Sequence, residues 1–293
     1  MAFARNGDVE IYFETFGSSA DPALLLINGL GAQCVNYRVD LCERLAGLGY
    51  FVIRYDNRDV GLSSKMDEPR FNVDNGGAST TKDRHVRHSY LLSDMARDGL
   101  AVLDALDVSR AHVVGASMGG MIAQTMAIQS PERLLTLTSF MSTTGDRDVG
   151  QPSPRARELL FGARSTDRES YVATQLEYAK VWGSPNCFNE EFRTAVAREM
   201  FDRSFCPAGV GRQLWAIQAS GSRTAALGTL EVPTLVLHGD ADTLIDISGG
   251  RRTAEAIPGA RFVVIEGLGH DYPPQYWDQL IGLLETQLAS VQA

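Results

Sequence analysis

The stretch AHVVGASMGGMIAQTMAIQS, residues 111–130, decides the fold reading. Its first part is a short apolar run, the pattern of a strand buried on both faces of a mainly parallel sheet. Its second part reads as a helix that stops just before Pro131. Between them lies Gly115-Ala116-Ser117-Met118-Gly119, a G-x-S-x-G turn. A strand that turns directly into a helix forces the middle residue into a strained backbone, and small neighbours relieve the crowding. Gly115, Gly119 and Gly120 supply that smallness. A glycine-rich link with no chemical role would fit a bare pentapeptide, but the strand–turn–helix context outweighs it. A phosphate cradle is disfavoured, because both the G-K-[ST] ending and the three-glycine dinucleotide spacing are absent.

Outward from this stretch the same alternation continues. Towards the N-terminus, ALLLINGLG (residues 23–31) and FVIRYD (51–56) read as buried strands, with a helix between them that puts Leu41, Leu45 and Leu48 on one face. VEIYFETFG (9–17) alternates as a half-exposed, antiparallel opening strand at the sheet edge. A polar loop runs to about Tyr90, and LLSDMARDGLAVLDALDV (91–108) is an amphipathic helix. LLTLTSFMS (134–142) is the strand that follows the deciding stretch. After residue 227, VPTLVLHGDAD, a helix through RRTAEAIPG, ARFVVIEGLGH and a helix from about Gln275 to Ser290 resume the pattern. Strands alternating with helices predict an α/β fold with a doubly wound, mostly parallel sheet. From about Gly145 to Leu227 the strand signal vanishes. The expected division is a core of residues 1–145 and 228–293 with a helical cap of residues 146–227 over the carboxyl ends of the strands, where open α/β sheets bind ligands.

Composition narrows the function classes. A net charge of −9 without a Lys/Arg-rich run argues against nucleic-acid binding. No stretch approaches the roughly 18 apolar residues of a membrane span, and the start, MAFARNGDVEIYF, lacks the pattern of a secretory signal. A cytoplasmic protein whose mature chain starts here is expected. Cys34, Cys42, Cys187 and Cys206 lack CxxC spacing, so buried free thiols are expected and a metal site is not.

A serine hydroxyl is a weak nucleophile and needs a base, itself oriented by a third group. Of five histidines, His270 closes GLGH after the last predicted strand, where a glycine-rich loop can swing the imidazole over the sheet. His112 opens a strand at the far end from any such site and reads as structural. His238 ends TLVLH and is expected beneath the acid loop. His85 and His88 sit among Lys82, Arg84 and Arg87 and read as a solvated basic face. Asp242 of GDAD is the leading acid, with Asp240 expected to hold the turn and Asp146 as the second candidate. The catalytic set is thus Ser117, Asp242 and His270, in the chain order Ser, Asp, His. Acyl transfer also needs two backbone N–H groups for the oxyanion. Met118 at the helix start and Leu30 in Asn28-Gly29-Leu30-Gly31 are the expected donors.

NGLG, DNRDVGLS, GASMGG, HGDAD and GLGH occur in an order and approximate spacing that resemble the α/β-hydrolase superfamily over nearly the whole chain. RYDNRDVGLS and the cap length look most like esterases similar to aclacinomycin methylesterase. The resemblance implies an eight-stranded sheet and cofactor-free hydrolysis of a small-molecule carboxylic ester through an acyl-enzyme. Asn28 departs from the histidine most common before the oxyanion glycine, and Asp59-Val60 replace the usual glycine and a further residue. Asp56, Arg58 and Asp59 are expected to brace their loop. Haloalkane dehalogenases and epoxide hydrolases of this fold use an aspartate where Ser117 stands, which disfavours those activities.

The predicted cap holds Phe161, Tyr171, Tyr178, Trp182, Phe188, Phe192, Phe201, Phe205 and Trp215, enough aromatic area to roof an apolar pocket. Most of these are expected simply to pack the cap onto the core. Gly29, Trp182 and Trp215 are the expected substrate contacts. A carbon–carbon bond hydrolase, a perhydrolase and a ligand-binding sensor share these residue types, and a homo-oligomer is compatible with the sequence.

Overall fold

The computed structural model describes residues 2–66 and 90–291. The basic stretch with His85 and His88, and the loop up to residue 89, lie outside the described residues. In chain order the elements are β1 (Ala2–Asn6), β2 (Val9–Phe16), β3 (Ala23–Ile27), α1 (Val39–Ala46), β4 (Phe51–Tyr55), α2 (Leu92–Asp104), β5 (Ala111–Ala116), α3 (Met118–Gln129) and β6 (Leu134–Phe140). Five helices follow without a strand: α4 (Pro154–Leu160), α5 (Arg168–Trp182), α6 (Glu190–Arg203), α7 (Pro207–Ser220) and α8 (Thr224–Leu227). The alternation then returns as β7 (Thr234–Gly239), α9 (Ser248–Ala256), β8 (Arg261–Ile265) and α10 (Trp277–Leu288).

The eight strands form one sheet in the order β1-β2-β4-β3-β5-β6-β7-β8. β2 pairs antiparallel with both β1 and β4, and all other pairs are parallel. Chain direction across the sheet reverses at β3, which lies between β4 and β5. The crevice beyond the carboxyl ends of β3 and β5 is therefore the switch point at which such sheets bind ligands, and residues 28–31 and Ser117 open into it.

Burial on both faces explains the continuous apolar strands. Leu25, Ile27 and Val113 face one side with Met95, Ala96, Ile122 and Met126 of α2 and α3. Leu24, Leu26 and Val114 face the other with Leu41 and Leu45 of α1 and Leu280, Ile281 and Leu284 of α10. Strand side chains alternate, so each neighbouring pair feeds both layers.

Three local expectations are corrected. The strand after Gly7 is not the edge: β1 lies outside it, joined through a tight turn in which Asn6 pairs with Val9 and Gly7 has φ +59°. Leu48 falls beyond α1 and is exposed, because the helix ends at Ala46. All four cysteines are free, but only Cys34 and Cys42 are buried; Cys187 and Cys206 are partly exposed. Among the described residues, no helix is long and apolar enough to cross a membrane.

Candidate active site

Ser117 sits between β5 and α3 with φ +57° and ψ −122°, a backbone region that L-residues avoid. Its surroundings hold it there. Its N–H donates to Phe140 O at 2.9 Å, and its carbonyl accepts the Ser142 hydroxyl at 2.8 Å and the Gly120 N–H at 2.9 Å. The flanking glycines are obligatory by distance. A Cβ on Gly115 would lie 2.1 Å from Gly119 O, one on Gly119 2.1 Å from Ile27 O, and one on Gly120 2.6 Å from Ser142 Cβ.

Ser117 Oγ lies 2.9 Å from His270 Nε2, and His270 Nδ1 lies 2.6 Å from Asp242 Oδ2. These partners assign the tautomer: Nδ1–H donates to the carboxylate, leaving Nε2 to accept the serine proton. The other carboxylate oxygen, Asp242 Oδ1, accepts the Leu244 and Ile245 N–H groups at 2.9 Å each. Burial alone would raise the Asp242 pKa, but the His270 charge and hydrogen bonds from His238 and His270 outweigh it and hold the pKa down at about 2. His238 is wholly buried, with Nε2 donating to Ile245 O at 2.8 Å and lying 3.4 Å from Asp242 Oδ2. It packs beneath the acid loop, as its position at the end of β7 predicts. Asp240 holds the turn through Gly267 N–H at 2.7 Å. Asp146 is engaged elsewhere, by Ser222, by Thr224 at 2.8 Å and by Arg252 at 2.6 Å.

The loop after β3 lies against the nucleophile: a Cβ on Gly29 would be 3.1 Å from Ser117 Cβ. Asn28 fixes this loop, its amide donating to Gln33 O and its Oδ1 accepting the Tyr272 hydroxyl, both at 3.1 Å. Asn57 donates to Asn28 O at 3.0 Å, and Gly31 N–H to Gln213 Oε1 at 2.9 Å. Among the described residues, the Leu30 and Met118 N–H groups have no protein acceptor.

Residues 22–272 match the family described as alpha/beta hydrolase fold. The chain belongs to the α/β-hydrolase fold family. Two curated relatives are similar along nearly their whole length. Rhodomycin D methylesterase DauP of Streptomyces sp. (strain C5) is 33% identical, over 91% of this chain and 90% of that protein. Rhodomycin D methylesterase DnrP of Streptomyces peucetius is 32% identical, over 92% and 91%. The crystal structure of a hydrolase from Pseudomonas aeruginosa PA01 superposes with a TM-score of 0.75 at 24% identity, covering 98% of this chain and 97% of that one.

In this α/β-hydrolase chain a cavity of about 300 Å³ opens onto Ser117 and His270. Its wall joins Gly29 and Leu30 to Tyr171, Tyr178, Trp182, Phe192 and Phe205 from the helical insertion. Tyr178 and Trp182 stack with ring centroids 4.3 Å apart. Trp215 is the correction: it lies on α7, 39% exposed, and does not line the cavity. Phe161 and Phe188 are likewise exposed, and Phe201 packs on Tyr171 and Phe205.

The loop after β4 ties the insertion down. Arg203 of α6 pairs with Asp56 and Arg212 of α7 with Asp59, both at 2.7 Å, while Arg58 pairs with Asp98 of α2 at 2.6 Å. Asp59 has φ +76°, the conformation that glycine favours. Arg212, the Tyr90 hydroxyl and the Met66 N–H all bind its carboxylate and hold the residue in that shape. A brace by Asp56, Arg58 and Asp59 is expected from the sequence, whereas Ser184, Arg193 and Asp271, which hold the loop bearing His270, belong to no motif. The only sequence signal was that Asp271 adjoins the candidate base. Among the described residues, no group of three or more His, Cys, Asp or Glu side chains could hold a metal ion.

Proposed function

We propose that this member of the family is a carboxylic ester hydrolase with Ser117 as nucleophile, His270 as general base and Asp242 as the acid. The observation that carries the reading is the unbroken chain Ser117 Oγ, His270 Nε2, His270 Nδ1, Asp242 Oδ2, with links of 2.9 and 2.6 Å between side chains. The resemblance to two methylesterases supports an ester, and a methyl ester in particular, as the bond cleaved.

In the acylation step Ser117 Oγ attacks the ester carbonyl carbon while its proton passes to His270 Nε2. The carbonyl oxygen takes the displaced electron pair, and the Leu30 and Met118 N–H groups stabilise it. Asp242 holds the imidazolium in register. Collapse expels the alkoxide, which leaves as the alcohol with the proton from His270. Water then attacks the acyl-enzyme by the same route, releasing the acid and restoring Ser117. Residues 146–227 act as the cap, with residues 1–145 and 228–293 as the core. Trp182 and its aromatic neighbours hold a fairly apolar acyl group by contact, and Gly29 leaves space for the carbonyl beside Ser117.

Hydrolysis of p-nitrophenyl esters from acetate to decanoate tests this reading. The native chain gives an acyl-enzyme burst and turnover, and Ser117→Ala lowers kcat by about 10⁴-fold or more with its melting temperature preserved. Equal turnover in the native chain and Ser117→Ala would exclude the nucleophile.

A further inference from the structure

The strongest unassigned cluster joins the end of α5 to the loop that carries His270. Trp182 O accepts the His270 N–H at 2.5 Å. Ser184 binds on both sides of that residue: its hydroxyl accepts the Gly269 N–H at 3.0 Å and donates to Asp271 Oδ1 at 2.5 Å, while its own N–H donates to the same oxygen at 3.0 Å. Arg193 of α6 takes Asp271 Oδ2. Residues 269, 270 and 271 are thus all held by residues 182 and 184, which come from the helical insertion and not from the sheet.

Packing there has no slack. A Cβ on Gly269 would lie 2.4 Å from Gly183 C, and one on Gly183 2.4 Å from Ala179 O. Ser184 is 2% exposed and does not line the cavity, so it cannot act by touching substrate.

We propose that Ser184, through Asp271 and the Gly269 N–H, is a positioning residue that fixes the His270 imidazole between Ser117 and Asp242. This deepens the proposed function and rests on His270 being the base. The physical reason is that one ring must meet two partners at 2.9 and 2.6 Å at once. A small rotation of its backbone loses both, and misplacement by about 1 Å is costly in catalysis. The insertion is then part of the catalytic machinery as well as a roof. A cluster that merely fastened the insertion to the core would change stability or substrate binding and leave the chemical step alone.

The test compares the native protein with Ser184→Ala and Ser117→Ala. It measures kcat and KM on p-nitrophenyl butyrate and the rate of labelling by a small alkyl fluorophosphonate, which needs the base but little of the cavity. Ser184→Ala is expected to lower kcat and the labelling rate together by about tenfold, with KM within about twofold. The proposal is overturned if Ser184→Ala melts lower yet labels and turns over at the native rate, or if only KM moves. Should Ser184→Ala not fold, Asp271→Asn, which keeps the side-chain shape, is read by the same two rates. Failure of the underlying reading shows separately, as labelling and turnover that persist in Ser117→Ala.

Discussion

Asp242 and Asp146 were the two acids the sequence offered, and their surroundings separate them. Asp242 lies at 2.6 Å from the imidazole with two backbone N–H groups on its other oxygen. Asp146 spends its carboxylate on Arg252, Ser222 and Thr224. Replacing Asp242 by Asn puts the wrong tautomer on His270, and kcat is expected to fall by about 10⁴-fold. Asp146→Asn should leave kcat within about twofold, because it removes only a surface-side ion pair. Steady-state kinetics of the two variants side by side checks the assignment. At this scale the meeting of Ser117 with His270 was legible because each follows a strand within a glycine-rich turn. Trp215 was misread because nothing in its own residue type tells which side of α7 faces the cavity. Ser184 and Asp271 were invisible because their roles exist only once α5 and the loop after β8 meet.

The elements set tolerances that a substitution can measure. The first turn of α3 touches the end of β3 so closely that a Cβ on Gly119 would meet Ile27 O at 2.1 Å and Asn28 O at 2.8 Å, both backbone atoms. Gly119→Ala is expected to cost more than about 3 kcal/mol, beyond ordinary overpacking, because no side chain can swing away. Gly282 on α10 has nothing within 4 Å of its would-be Cβ, and Gly282→Ala should stabilise by about 0.5–1 kcal/mol through helix propensity. Urea unfolding of both variants tests the contrast. On β5, His112 is buried against Thr136 at 2.9 Å. Burial, aided by the Arg110 charge, pushes its pKa down to about 4. The unfolded chain protonates this imidazole first, near pH 6.5. Its contribution to stability is therefore present above about pH 6.5 and lost as the pH falls towards 4. A His112→Gln variant should show a flatter urea midpoint across that window, and an unchanged slope would refute the burial argument. Buried strands such as ALLLI were legible because an uninterrupted apolar run needs two covering layers. β1 was missed because its five residues are short and mostly exposed, although Asn6-Gly7 is a hairpin signal.

Across the whole molecule, strand and helix alternation predicted a parallel sheet with the insertion over the carboxyl ends of its strands, whereas the reversal of chain direction at β3 was not legible, because alternation does not fix which strands are neighbours. The packing of the five-helix insertion was not legible: its contacts with the core include those of Arg193, Arg203, Arg212, Gln213 and residues 181–184, which carry no periodic signal. The same layout has a consequence in time. Ser117 and His270 are 153 positions apart in the chain, and the strands between them are interrupted by the whole insertion. Closing so long a loop is slow compared with forming local helices. Reactivity of Ser117 then serves as a clock for the last step of assembly. On refolding from urea, helical circular dichroism is expected to return first and fluorophosphonate labelling to lag behind it; coincident traces would mean that the two halves of the sheet and the insertion arrive as one cooperative unit.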